Sequence, residues 1–212
     1  MGTIKQGILG GFSGKVGTVV GGSWRGIPYM RSLPSSFRNP RTVGQVTQRT
    51  RFLVTLEFLK TINLFIRVGY KAYAIKQSAY NAAMSYIVNN AVTGTFPDFE
   101  IDYPNVLVSR GSLKQAEGGS ATAGSESMTF AWTDNSGVSN ALDSDKAMPL
   151  VFNSSKGEAV FNTAAADRSA ETADLPIPAG WSGDTVEVYL GFISNDGALV
   201  ANSVYLGQQT VA

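Results

Sequence analysis

Hydrophobic and polar positions change period twice along this chain. From Lys15 to Leu33, "KVGTVVGGSWRGIPYMRSL" alternates loosely and is rich in Val, Trp, Tyr and Ile. The pattern predicts a β-ribbon, with a turn near Gly21-Gly22 or Arg25-Gly26. Asn39-Pro40 then reads as a helix-start signal, Asn39 capping and Pro40 at the first helical position. In "VGQVTQRTRFLVTLEFLKTINLF" the apolar residues Phe52, Leu56 and Leu59, with Phe58, Ile62 and Phe65, form a face broader than a surface helix needs. A break is expected near Asn63 or Gly69. Ser78 is placed to cap a second helix from Ala79 to about Val92, with Tyr80, Ala83, Met84, Ile87 and Ala91 at helical spacing. The two make an antiparallel pair that Thr93-Gly94 ends.

From Phe96 the period becomes two. "EIDYPNVLVSRG", "ESMTFAWTDN", "KAMPLVFNSS", "EAVFNTAA", "TVEVYLGFIS" and "ALVANSVYLG" read as short strands, and Asn195-Asp196-Gly197 as the hairpin turn joining the last two. Five to seven short strands in the last ~115 residues predict an antiparallel sandwich of the immunoglobulin or fibronectin III kind, with Trp132 inside it. Pro176 and Pro178 belong on an edge or in a loop. The fold class expected is therefore α+β: a β-ribbon and helical hairpin over residues 1–95, then an Ig-like sandwich over residues 96–212.

Charge sharpens this division. Residues 1–95 hold twelve of the 17 Lys and Arg but only one of the 16 Asp and Glu, a net of +11; residues 96–212 carry a net of −10. The overall charge of +1 hides the split. Three arrangements account for it. The basic half can bind phosphates of nucleic acid or an anionic membrane. It can meet the acidic half of a neighbouring copy, a head-to-tail contact that builds rings or filaments. Or the halves can complement each other within one chain. The cations are spread over ribbon and helices with no RGG, zinc-finger or RRM-type motif beside them, which favours assembly over nucleic acid. Interleaved Trp24, Tyr29 and Phe37 keep nucleic acid open.

Several chemistries are excluded. The chain has no Cys and no His, so disulfides, Cys/His zinc sites, cysteine nucleophiles and His-based triads are out. "GGFSGKVGTVVGGSW" resembles a phosphate loop only in composition. Leu9 stands where its first Gly is required, Val16 follows Gly14-Lys15 in place of Ser or Thr, and the sequence beyond reads as strand. Nine of the 23 glycines fall within residues 1–26, where they suit turns and close backbone approach. Asp98, Glu100 and Asp102 alternate, so on a strand they share a face fit for Ca²⁺ or, better, for a basic patch. Asp143 and Asp145 sit in a loop without EF-hand spacing. Tyr70, Tyr73, Tyr80 and Tyr86 have the spacing of helix packing rather than of a binding face. Phe52 to Val68 is interrupted by Glu57, Lys60 and Arg67, so no transmembrane segment is expected. The N-terminus lacks the apolar core of a signal peptide and the hydroxyl residue of a myristoylation site, and nothing fixes localisation.

"GILGGFSGKVGTVVGGSWRGIPYMRSLP", "NPRTVGQVTQRTRFLVTLEFLK" and "AYNAAMSYIVNNAVTGTFPDFEIDYPNVLVSRGSL" resemble a family of proteins of about this length, widespread in Bacteroidetes and classed as a domain of unknown function. The resemblance covers most of the chain and is strongest over residues 7–113. It implies no activity and supplies no catalytic residues. "NPRTVGQVTQRTRF" is also similar to a short motif of phage-associated and mobile-element proteins. The resulting expectation is a non-enzymatic, self-assembling subunit of a filament, fibre or phage virion, without cofactor or metal. Trp24, Arg25, Tyr29 and Arg31 are placed at its interface, where the ribbon can add a strand to a neighbour's sheet, and Asp98, Glu100 and Asp102 are their acidic partners. The alternatives are a nucleic-acid-binding protein and a surface carbohydrate- or protein-binding module.

Overall fold

The computed structural model describes residues 2–4, 7, 10–24, 26–36, 39–124 and 126–212. It is mixed α+β with mostly β content, in two compact units that divide between Thr42 and Val43.

The first unit is an antiparallel sheet of β1 (Thr3–Ile4), β2 (Phe12–Val16), β3 (Val19–Trp24) and β4 (Ile27–Ser32), paired in chain order. β2 and β3 are joined by Gly17-Thr18, where Gly17 takes φ +58°. Positive φ at a two-residue hairpin is what glycine supplies at least cost. Of the two turns expected, the one at Arg25-Gly26 lies between β3 and β4, although Arg25 itself is outside the described residues. The one at Gly21-Gly22 is corrected: both residues lie inside β3. Gly21 is there because a Cβ would collide with the carbonyl and ring of Phe12 on β2.

The second unit begins with α1 (Val43–Thr61), three residues later than Pro40 predicted. The expected break falls at Ile62, which leaves helical geometry at φ −106°, and α2 (Asn63–Gly69) ends at the second expected point. Gly69 is required there. A Cβ would stand 2.7 Å from the Val108 carbonyl, and Gly69 O accepts from the Arg110 amide at 2.9 Å. α3 (Ala79–Asn90) starts as expected, with Ser78 Oγ accepting from the Asn81 amide at 3.1 Å. Arg51 donates to Val88 O and Tyr80 to Leu56 O, which sets α1 and α3 antiparallel. The hairpin of β5 (Val92–Thr95) and β6 (Asp98–Ile101) follows.

Seven more strands form two sheets. β7 (Glu117–Ala123), β8 (Ser127–Thr133) and β11 (Thr172–Pro176) make one, ordered β11-β8-β7; β9 (Lys146–Asn153), β10 (Glu158–Phe161), β12 (Thr185–Ile193) and β13 (Val204–Thr210) make the other, ordered β10-β9-β12-β13. The four-stranded sheet is the middle layer. Ala147, Val151, Val188 and Phe192 face Met128, Phe130, Trp132 and Leu175 of the three-stranded sheet in one core. Met148, Leu150, Phe152 and Tyr189 face Phe58, Ile62, Phe65, Tyr70 and Ile87 of the helices in another. Burial on both faces explains why β9 and β12 read as nearly continuous apolar runs.

This layering corrects the division at residue 95. The helices are not a separate basic domain; their apolar faces need the sheet, and Phe58 packs edge-on against Phe152 with ring centroids 4.9 Å apart. β7, with only Gly, Ser, Ala and Thr between its ends, gives too weak a hydrophobic signal to be recognised in sequence, and β5 was hidden under a turn signal. The Asn195–Gly197 turn is present, with the Ser194 amide bonded to Leu199 O at 2.9 Å. Among the described residues no helix is long and apolar enough to cross a membrane.

Candidate functional site

The buried polar groups of the second unit are committed to architecture. Arg168 is fully buried and donates to Asp145 at 3.2 Å, Asn135 at 2.5 Å and Lys114 O at 3.0 Å, with its guanidinium 3.9 Å from the centre of the Phe192 ring. Trp132 Nε1 donates to Arg168 O at 2.7 Å, so the strand tryptophan anchors this cluster. Glu187 is buried and accepts from Tyr205 at 2.6 Å and Gln208 at 3.0 Å. No periodicity announces Arg168 or Glu187, because their value depends on partners remote in sequence. Of the four tyrosines, Tyr70 is buried and donates to Leu107 O at 2.9 Å, and burial pushes its phenol pKa up. Tyr73 and Tyr86 stack with Arg110. Their roles are packing roles.

A groove of about 780 Å³ lies between α1 and β6, with Glu57, Lys60, Glu100, Tyr103 and Ser154 on its walls. Among the described residues no three Asp or Glu are grouped to hold a metal ion. Asp98 and Glu100 do share the exposed face of β6, while Phe99 and Ile101 turn inward. Asp102 lies past the strand end, where its carboxylate accepts from Asn105 at 2.7 Å. Asp145 is held by Arg168, and Asp143 accepts from the Ser144 amide of its own loop.

The first unit differs in kind. Residues opposite one another in an antiparallel pair share a face. The register pairs Lys15 with Val20, Val20 with Arg31, Gly22 with Tyr29 and Trp24 with Ile27. One face thus gathers Lys15, Arg31, Trp24, Ile27 and Tyr29, with the Tyr29 ring over Gly22. Three of the four sequence-predicted residues of this ribbon are brought together; Arg25 lies outside the described residues. The other face carries Ile4, Phe12, Val16, Val19, Pro28 and Met30. Every residue of β4 is exposed, Met30 by 70% and Ile27 by 64%. Residues 1–42 carry six Lys and Arg and no acid.

The free edge of this sheet also has a phase. The Leu33 amide donates to Thr18 O at 2.7 Å. Hydrogen-bonded pairs alternate along an antiparallel ladder, so Ile27, Tyr29 and Arg31 turn their main chain to β3, and Pro28, Met30 and Ser32 turn theirs outward. Pro28 has no N–H to offer there.

The first unit is thus a sheet without a core of its own whose charged residues are all basic, and the second is a layered body whose buried polar groups serve packing. The chain belongs to the family of unknown function DUF6266, which it matches over residues 11–207. The match takes in residues of both units. A comparison with curated proteins gave no match.

Proposed function

We propose that the chain is a non-enzymatic structural subunit that self-associates into a filament, fibre or phage virion. The N-terminal sheet of one copy docks on an acidic surface of the next. The observation that carries this reading is the sheet itself: both faces are populated by apolar and aromatic side chains, yet β4 is exposed throughout. An apolar surface left open on a folded unit is a mark of an interaction site. Lys15 and Arg31 on the aromatic face suit the Asp98 and Glu100 face of β6 in another copy. Met30 and Ser32 leave a short stretch of edge for strand addition.

Charge supports the same reading. The ion pairs of Lys114, Lys146, Lys156 and Arg168 use carboxylates within residues 117–184. Lys60, Arg67 and Lys76 of the helical layer are exposed and form no ion pair among the described residues. Where basic residues of the first 95 do reach the acidic half they meet uncharged groups: Lys71 donates to Gly197 O at 3.3 Å, and Arg51 lies over the Phe99 ring. We read the two sheets of residues 117–210 as a fibronectin III or immunoglobulin-type sandwich, a reading supported by their three-plus-four strand order.

The test is sedimentation of the full chain with and without nuclease, at low and high salt. Large species that survive nuclease and are lost in Tyr29→Glu and Met30→Glu variants are expected. A chain that stays monomeric throughout overturns the proposal. Species that collapse on nuclease treatment transfer the aromatic, basic face to single-stranded nucleic acid, which such a face also suits.

A further inference from the structure

The groove between α1 and β6 sets acid against acid. Glu57 is the lone acid of the first 95 residues, and it stands on the α1 wall of this groove. The β6 wall presents Glu100, a second carboxylate, where a contact within the chain would be served by a cation. Both are exposed, and neither forms an ion pair among the described residues. Lys60, one turn beyond Glu57, also lines the groove and is likewise without an ion pair there. Two carboxylates against one ammonium leave the groove with a single surplus negative charge.

Between the walls lies an aromatic floor. Phe58 and Phe152 sit 4.9 Å apart, and the Tyr103 ring stands 6.2 Å from the first and 5.9 Å from the second. Phe58 and Phe152 are almost wholly covered, so the half-buried Tyr103 is the ring that meets an occupant. A guanidinium is weakly hydrated, stacks on aromatic faces and offers paired donors to carboxylates. A ring beneath two acids therefore suits an arginine better than a lysine. The volume of about 780 Å³ is more than one cation fills, and falls in the ~300–1,000 Å³ range of sites that take several groups at once. The occupant thus brings one positive charge with uncharged bulk beside it.

β4 has that composition. Among Ile27, Pro28, Tyr29, Met30, Arg31 and Ser32 only Arg31 is charged, and all six are exposed. Side chains two apart on a strand share a face, which sets Tyr29 beside Arg31. Residues 1–42 hold no acid to compete for the guanidinium. Lys15 shares that face, but it belongs to β2 on the far side of β3, so an approach led by the edge strand brings Arg31 in first.

We infer that the groove between α1 and β6 is the socket for β4 of a second copy, with Arg31 held between Glu57 and Glu100 against Tyr103 and with Tyr29 beside it. The inference rests on the self-association reading and narrows it. Docking on the open face of β6 involves Asp98 and Glu100 alone, whereas the groove brings in Glu57 from α1. Plug and socket are different surfaces of one chain, so the contact is heterologous and repeats from copy to copy.

The test is sedimentation velocity of the full chain from about 5 to about 500 µM at low salt. The native chain is expected to associate. Arg31→Glu, Glu57→Arg and Glu100→Arg should each raise the dissociation constant at least about tenfold by setting like charges together. Arg31→Glu and Glu100→Arg joined in one chain should restore it to within about threefold, since plug and socket are then both inverted. All three positions are exposed, so circular dichroism should not change. If Glu100→Arg weakens association and Glu57→Arg does not, the sheet docks on the open face of β6: the groove is overturned and self-association stands. Weakening by Glu57→Arg but not by Arg31→Glu gives the groove another occupant and overturns the inference. A double reversal no better than either single one also overturns it. A native chain that stays monomeric at every concentration overturns the groove and the self-association reading together.

Discussion

β12 and β4 are both antiparallel strands rich in Val, Ile, Tyr and Met-sized side chains. Along β12, Val186 to Phe192 are buried without interruption; along β4 every residue is exposed. β-propensity does not distinguish them. What differs is cover: β12 lies in a sheet with helices on one face and a second sheet on the other, whereas the internal packing of the N-terminal sheet is local, with the Phe12 ring over Gly21 and the Tyr29 ring over Gly22. Burial in the body thus makes stability, while the sheet leaves side chains of the same kind open.

The contrast can be broken most forcefully at the centre of the body. Arg168→Met leaves Asp145 buried without its cation, and one carboxylate oxygen of Asp145 already lacks a hydrogen-bond partner. The loss expected in guanidinium unfolding is ~3–5 kcal/mol. Gly69→Ala, which drives a Cβ against the Val108 carbonyl, should cost ~1–3 kcal/mol in the same assay.

A smaller effect comes from Asp184. Its carboxyl is held below the usual range, first by Lys156 Nζ and then by Asn153. A depressed carboxylate pKa stabilises the fold above the unfolded pKa of about 3.9, and that stabilisation is lost as pH falls through the folded value. Asp184→Asn should therefore lower Tm at pH 7, and the difference from the native chain should shrink once both are measured near pH 2.

Smallest of all, Met30→Ser in the N-terminal sheet should shift unfolding of the body by no more than ~0.5 kcal/mol. A loss above ~1 kcal/mol would mean that the sheet contributes to the body's stability, and the comparison would fail.

Much of this was readable in advance where the signal is local. Ser78 capped the helix expected of it, the strands "SMTFAWT" and "KAMPLVFN" lie where period and composition put them, and register joined Trp24, Tyr29 and Arg31 on one face. The failures were of long range or weak pattern. The helical face at Phe58, Ile62 and Phe65 was visible, but its partner sheet some 90 residues away was not, and so the boundary fell at 95 instead of 42. Gly21-Gly22 looked like a turn because sequence cannot show a ring lying across a strand. Arg168 and Glu187 gave no signal at all, since a buried charge is specified by neighbours that only folding supplies. The breadth of the α1 face was noticed, yet whether the surplus lies inside or outside required coordinates.

Pro28 has a consequence for how the edge of β4 can pair with another strand. Because the outward-facing nitrogen of Pro28 carries no hydrogen, a strand laid alongside β4 finds no donor at that position. Such a gap disfavours continuous cross-β pairing along this edge.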